Sequence, residues 1–154
     1  MQQPLSIAIG CDDAGIAMKD AMIHHLTERG LRVTDLSAAD EEDYPDVAER
    51  VAHSVARGEH VRGVLICGTG IGMAIAANKV PGIRAAQIPD SYSAERARKS
   101  NDAQIACFGN RTMGIEAALV CLDHWLVSDF AGGGSTRKVD KIREVETRNL
   151  RRTA

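Results

Sequence analysis

The chain has 154 residues, 44% hydrophobic and 26% charged, the size and balance of one folded domain, which excludes disordered and fibrous classes. A formal net charge of -2 and an aromatic fraction of 3% provide neither the basic footprint nor the stacking platforms of a nucleic-acid binder. No apolar run approaches the roughly 20 residues that cross a bilayer, and the first residues lack a basic stretch leading into an apolar one, so a cytoplasmic protein without membrane association is expected.

Leu5 to Gly10 has the composition of a short strand, and C-D-D-A-G then turns into an amphipathic helix from Ile16 to Arg29 with Met18, Met22 and Leu26 on one face. Gly30 ends it. Leu31 to Leu36 is a second strand, and Ser37 to Asp43 forms a polar, acidic loop closed by Tyr44 and Pro45. Proline suits the first turn of the helix that follows, which carries Val47, Val51 and Val55 and stops near Gly58. The third strand is Gly63 to Cys67, and its helix runs through an alanine-rich stretch to about Lys79. Ile83 to Ile88 is a fourth strand, Asp90 or Ser91 caps a helix through Arg98, and Ala103 to Gly109 is a fifth strand. Gly114 to Val127 forms another helix. Beyond Gly132, Gly133 and Gly134, a narrow stripe of Val139, Ile142, Val145 and Leu150 marks a C-terminal extension over about 132–154, packed either on its own domain or on a partner subunit.

Strands alternating with helices at this spacing imply an α/β fold, a three-layer, doubly wound, Rossmann-like parallel sheet over a single domain, 1–154. The expected strand order is 2-1-3-4-5, which places a ligand outside the carboxyl ends of strands one and three. Two loops therefore matter most, Cys11 to Gly15 and Cys67 to Gly72.

The second of these joins a strand to a helix through Gly68, Thr69, Gly70, Ile71 and Gly72, so its backbone N–H groups are aimed beside the Cys67 thiol. A dinucleotide fingerprint fails here, because its third glycine falls on Met73 and the turn follows the third strand. A phospho-acceptor domain, suggested by Asp12 and Asp13, needs an aspartate where Cys67 stands. An enzyme that moves a proton through an enediolate needs a base and donors for a charged oxygen, which Cys67, Thr69 and the loop N–H groups supply. A cysteine closing a buried strand is also commonly a small hydrophobe, and the residues alone leave both readings open. The five histidines fall on or beside helices, and neither they nor the four cysteines are spaced for a metal, so no metal or other cofactor is expected.

G-C-D-D-A-G at 10–15, D-Y-P-D at 43–46, I-C-G-T-G-I-G at 66–72, A-N-K-V-P-G-I-R-A-A at 77–86, Y-S-A-E-R-A at 92–97, S-N-D-A-Q at 100–104 and F-G-N-R at 108–111 resemble the ribose-5-phosphate isomerase B and galactose-6-phosphate isomerase family in order along the chain. The resemblance implies a metal-independent aldose-ketose isomerase of a phosphorylated sugar, working as a homodimer or tetramer with sites at the subunit interface. By the same resemblance Cys67 is the base, with Thr69 beside it, and Gly68, Gly70, Ile71 and Gly72 stabilise the enediolate. Asp12, Asp13, Tyr44, Ser100, Asn101 and Arg111 are then substrate contacts, and Arg111, Arg137 and Lys138 hold the phosphate.

Three departures from the family pattern bear on the substrate. Asp13 and Ser100 stand where pentose-phosphate isomerases of the family usually have histidines, the second being credited with opening the sugar ring. A tetrose phosphorylated at its terminal oxygen cannot close a five-membered hemiacetal, so its isomerase needs no such acid. The resemblance in D-D-A-G and S-N-D-A-Q to the branch that interconverts erythrulose 4-phosphate and erythrose 4-phosphate agrees with this, and ribose 5-phosphate is the alternative. In the tail, Gly134 replaces the family's first phosphate-binding arginine, leaving Arg137 and Lys138 nearby. A non-catalytic partner subunit, as in heteromeric galactose-6-phosphate isomerases, is the reading from another class, and an intact C-G-T-G-I-G argues against it.

Overall fold

Strands that are apolar from end to end lie inside a parallel sheet, covered on both faces. The computed structural model describes residues 5–38 and 42–152 and shows that arrangement. β1 (Ser6–Cys11), β3 (Arg62–Cys67) and β5 (Ile105–Gly109) are almost wholly buried, whereas β2 (Arg32–Asp35) and β4 (Ala85–Gln87) are short and partly exposed. Between them run α1 (Ile16–Glu28), α2 (Tyr44–Ala56), α3 (Ile71–Ala77), α4 (Ser91–Lys99) and α5 (Ile115–Leu126), followed by α6 (Gly134–Arg152). The middle of the acidic loop expected at 37–43 and the last two residues of the C-terminal extension lie outside the described residues.

All strand pairs are parallel, and the order is β2-β1-β3-β5-β4. This corrects the expected 2-1-3-4-5 at one edge. β5 carries Ile105, Ala106, Cys107 and Phe108, all fully buried, and so takes the interior position beside β3. The three-residue β4, ending in exposed Gln87, is suited to an edge.

The side chains of β1, β3 and β5 alternate between two cores. Ile7, Ile9, Val64, Ile66 and Phe108 pack with α1, α4 and α5, where Met18, Met22, Leu122 and Trp125 are buried. Ala8, Leu65, Cys67, Ile105 and Cys107 face α2 and α3, against Val47, Val51, Met73 and Ala77. The end of α5 is held by buried Arg62, which donates to the carbonyls of Trp125 (3.1 Å), Leu126 (2.8 Å) and Ser128 (3.2 Å) and lies 5.3 Å from the Trp125 ring centroid. Burial pushes its guanidinium down to about 10, so it stays cationic at neutral pH.

Helix α6 docks on its own domain through Val139, which is buried, and through the Glu146 carboxylate, which accepts the Gly82 N–H at 3.0 and 3.1 Å. Ile142 and Val145, farther along the expected stripe, remain about half exposed. The extension thus begins packed on its own chain and presents the rest of its apolar stripe outward.

Candidate active site

The sheet reverses its winding between β1 and β3, and there the Cys11–Gly15 and Cys67–Gly72 loops meet, as expected. They border a cleft of about 420 Å³ lined by Asp12, Tyr44, Cys67, Gly68, Thr69, Ile71, Gly72 and Ile75.

Cys67 closes β3 at the cleft floor, with only 5% of its surface exposed. The Gly70 N–H donates to its Sγ at 3.1 Å, and the Ile71 N–H donates to Thr69 Oγ1 at 3.2 Å. Two of the N–H groups aimed into this loop are therefore engaged by the loop's own side chains, one of them polarising the Thr69 hydroxyl. Gly70 has φ of +77°, and a Cβ there would stand 3.0–3.1 Å from the Cys107 and Phe108 backbone. Only glycine turns the chain back at this point without strain. Directly behind Cys67, burial and the neighbouring Cys67 sulfur push the Cys107 thiol far upward, so it stays protonated.

The walls come from both neighbouring loops. Tyr44, at the start of α2, lays its ring over Gly72, where a Cβ would stand 2.6 Å from ring carbon Cε2. Asp12 follows β1, and its Oδ1 accepts the Ala14 N–H at 3.0 Å. Burial raises the Asp12 carboxyl above its ordinary value, aided by Asp13, while the Ala14 N–H and the Arg111 guanidinium pull it down. The Arg111 side chain runs over Gly68, and the Arg111 backbone N–H donates to the Gly68 carbonyl at 2.9 Å. Asp13 turns away into an acidic hollow with Glu42, Asp43 and Asp46.

Ser100 and Asn101 are not brought into this cleft. They end α4 just before β5, at the amino end of the sheet, where the Arg84 Nε donates to the Asn101 carbonyl at 3.1 Å. β5 itself separates them from Cys67, a span of roughly 13 Å at ~3.3 Å per residue. Arg137 and Lys138 lie exposed on the early turns of α6, which is tied through Glu146 and Arg143 to the loops preceding β4 and β5, the same end as Ser100 and Asn101.

Three residues near the cleft escape the sequence reading. Ile75 adds an exposed apolar wall, Gln87 donates from Nε2 to the Thr69 carbonyl at 3.3 Å, and Asn110 bonds both Cys67 and Ala14. Gln87 and Asn110 stand at or just after the carboxyl ends of parallel strands, and that position is the signal that identifies them. Among the described residues no group of three or more His, Cys, Asp or Glu side chains is arranged to hold a metal. His25 pairs with Asp123 at 2.7 Å, and His60 bridges Ser54 and Thr34. No helix among the described residues is long and apolar enough to cross a membrane.

A family model described as Ribose/Galactose Isomerase matches residues 7–142. The chain belongs to that family. This sugar-phosphate isomerase is 52% identical over 147 residues to ribose-5-P isomerase B of Listeria innocua, covering 94% of this chain and 99% of the relative. It is 53% identical over 141 residues to D-erythrulose-4-phosphate isomerase of Pectobacterium atrosepticum, covering 90% and 93%. Among solved structures, ribose-5-phosphate isomerase B of Clostridium thermocellum superimposes with a TM-score of 0.92 at 44% identity, covering 94% of this chain and 99% of that one. The Mycoplasma genitalium ribose-5-phosphate isomerase B with bound ribulose 5-phosphate does so with a TM-score of 0.89 at 33% identity, covering 95% and 99%. The isomerase thus acts on a phosphorylated sugar, and its relatives carry two different substrate names.

Proposed function

We propose that the chain interconverts D-erythrulose 4-phosphate and D-erythrose 4-phosphate by proton transfer through a cis-enediolate, without a cofactor. The observation that carries the chemistry is the Cys67 sulfur at the cleft floor with the Gly70 N–H directed at it at 3.1 Å. A directed N–H stabilises negative charge on sulfur, as a proton-abstracting thiolate requires. In the forward direction Cys67 takes a proton from C1 of the ketose, and the C–H electrons form the C1–C2 double bond while the carbonyl π electrons move onto O2. The Thr69 hydroxyl, which already accepts the Ile71 N–H, donates to that oxygen together with the Gly68 and Gly72 N–H groups, those of Gly70 and Ile71 being held by Cys67 and Thr69. Transfer of the O1 proton to O2, with return of the abstracted proton from Cys67 to C2, yields the aldose and restores the thiolate.

The substrate choice rests on Asp13 and Ser100. With no histidine at either place, the chain lacks the acid credited with ring opening in its pentose-handling relatives, and a tetrose 4-phosphate has no furanose to open. Asp12, Tyr44 and Asn101 serve as hydroxyl contacts, and Arg111, Arg137 and Lys138 as the phosphate clamp. Because Ser100, Asn101, Arg137 and Lys138 stand at the other end of the sheet from Cys67, the site is completed by a second copy of the chain. Half-exposed Tyr44, Ile71 and Ile75 around the cleft support an interface there. The whole of 1–154 then works as one isomerase domain, in the cytoplasm, with residues 132–154 reaching toward the partner.

Ribose 5-phosphate is the second reading, favoured by the likeness to the Listeria innocua ribose-5-P isomerase B. The test compares erythrulose 4-phosphate with ribulose 5-phosphate under identical conditions. A kcat/KM at least about tenfold higher for the tetrose is expected, a difference of ~1.4 kcal/mol in transition-state binding. A clear preference for the pentose overturns the acyclic-substrate argument.

A further inference from the structure

Asn110, the residue immediately after β5, has no part in the chemistry above, yet it joins the ends of three adjacent strands. Its backbone N–H donates to the Cys67 carbonyl at 2.9 Å, carrying the β3–β5 pairing one residue past the Cys67–Gly109 register. Its side-chain Nδ2 donates to the Ala14 carbonyl at 2.7 Å, across 96 residues of sequence. Ala14 in turn gives its N–H to Asp12 Oδ1 at 3.0 Å, and the Asp12 N–H reaches the Ile66 carbonyl at 3.3 Å. The turn that carries Asp12 is therefore pinned at two places, by β3 through Ile66 and by Asn110 through Ala14.

We infer that Asn110 is a positioning residue that sets the Asp12 carboxylate against the Cys67 loop, acting through Ala14. The inference rests on the site assignment above and deepens it. The amide suits the position because a carbonyl such as that of Ala14 only accepts, and the uncharged Nδ2 donor satisfies it without placing another charge beside Asp12. Alanine removes the donor. Aspartate keeps the shape but aims an acceptor at a carbonyl and adds a negative charge near Asp12, and serine keeps a shorter donor. A reacting group displaced by about 1 Å can cost on the order of 100-fold in rate, so freeing one of the two pins has a measurable consequence.

The experiment is a double-mutant cycle on kcat/KM with erythrulose 4-phosphate and ribulose 5-phosphate, with melting temperature recorded for each variant. Asn110→Ala is expected to lower kcat/KM about 10- to 100-fold, Asn110→Asp at least as much, and Asn110→Ser less. In an Asp12→Ala background the Asn110→Ala loss should shrink to about threefold or less, because the group being positioned is gone. A purely structural role multiplies through unchanged in both backgrounds, and that result overturns the inference. So does wild-type activity of Asn110→Ala beside an impaired Asp12→Ala, which leaves the site assignment standing. Full activity of Asp12→Ala overturns the site assignment and the positioning role together. Asn110→Asp, which keeps the side chain's shape while removing the donor, provides the same comparison in both backgrounds should the alanine variant not fold.

Discussion

At the scale of single residues, the cleft is shaped by what its glycines exclude. Gly72 is small because the Tyr44 ring occupies the space a Cβ needs, at 2.6–3.1 Å from three ring carbons. Tyr44 is 42% exposed, so an added methyl group has room to push the ring outward without disturbing the core. Gly72→Ala is therefore expected to keep its melting temperature within a few degrees while kcat/KM falls about tenfold or more as the ring leaves the cleft wall. Steady-state kinetics beside a thermal melt checks this, and wild-type kcat/KM would show that the ring contact has no role in binding. The Cys67–Gly72 loop is legible in the sequence because its thiol, hydroxyl and glycines are consecutive. The contribution of Asn110 is not, since its partner Ala14 is distant in the chain and no local pattern links them.

At the scale of elements, Arg62 shows how one buried cation ends a helix. The last carbonyls of α5 have no partners within the helix, and Arg62 supplies three N–H contacts to Trp125, Leu126 and Ser128 while stacking on Trp125. Arg62→Met keeps the apolar stem but removes the donors to the Leu126 and Ser128 carbonyls and leaves Trp125 only backbone N–H partners, the Ser128 N–H at 3.4 Å among them, and is expected to destabilise the fold by about 2–4 kcal/mol in denaturant unfolding. A loss well under about 1 kcal/mol would mean that water replaces the guanidinium freely. Element by element the sequence is easily read, because strand composition, the Asp90 cap that accepts the Ser93 N–H at 2.7 Å and the proline opening α2 are local signals. The neighbour relation of β4 and β5 is not local. It is decided by which strand can be buried on both faces, and Ala-Ala-Gln competes poorly with Ile-Ala-Cys-Phe-Gly for the interior.

At the scale of the whole molecule, the candidate residues divide between the two ends of the sheet. Cys67, Thr69, Asp12, Tyr44 and Arg111 gather at the carboxyl end, and Ser100, Asn101, Arg137 and Lys138 at the amino end. Within one chain they stay apart, whereas a twofold pair can bring them together, because the same face of both copies meets and a residue at one part of it then touches a different residue of the other copy, and the reverse. Mixing inactive Cys67→Ala with inactive Asn101→Ala and allowing subunits to exchange should restore activity. With random exchange half the dimers are mixed and each holds one intact site, so recovery should reach about one quarter of the wild-type value. No recovery, with subunit exchange verified by mass, would place the whole site within one chain.

The most direct test of the account is the fate of the transferred proton. In D2O the wild-type enzyme is expected to convert erythrulose 4-phosphate to erythrose 4-phosphate with deuterium appearing at C2, as a thiol in exchange with solvent delivers it. A folded Cys67→Ala variant should lose about 100-fold or more of both turnover and deuterium incorporation. Turnover and incorporation near wild type in that variant would contradict the assignment of Cys67 as the base.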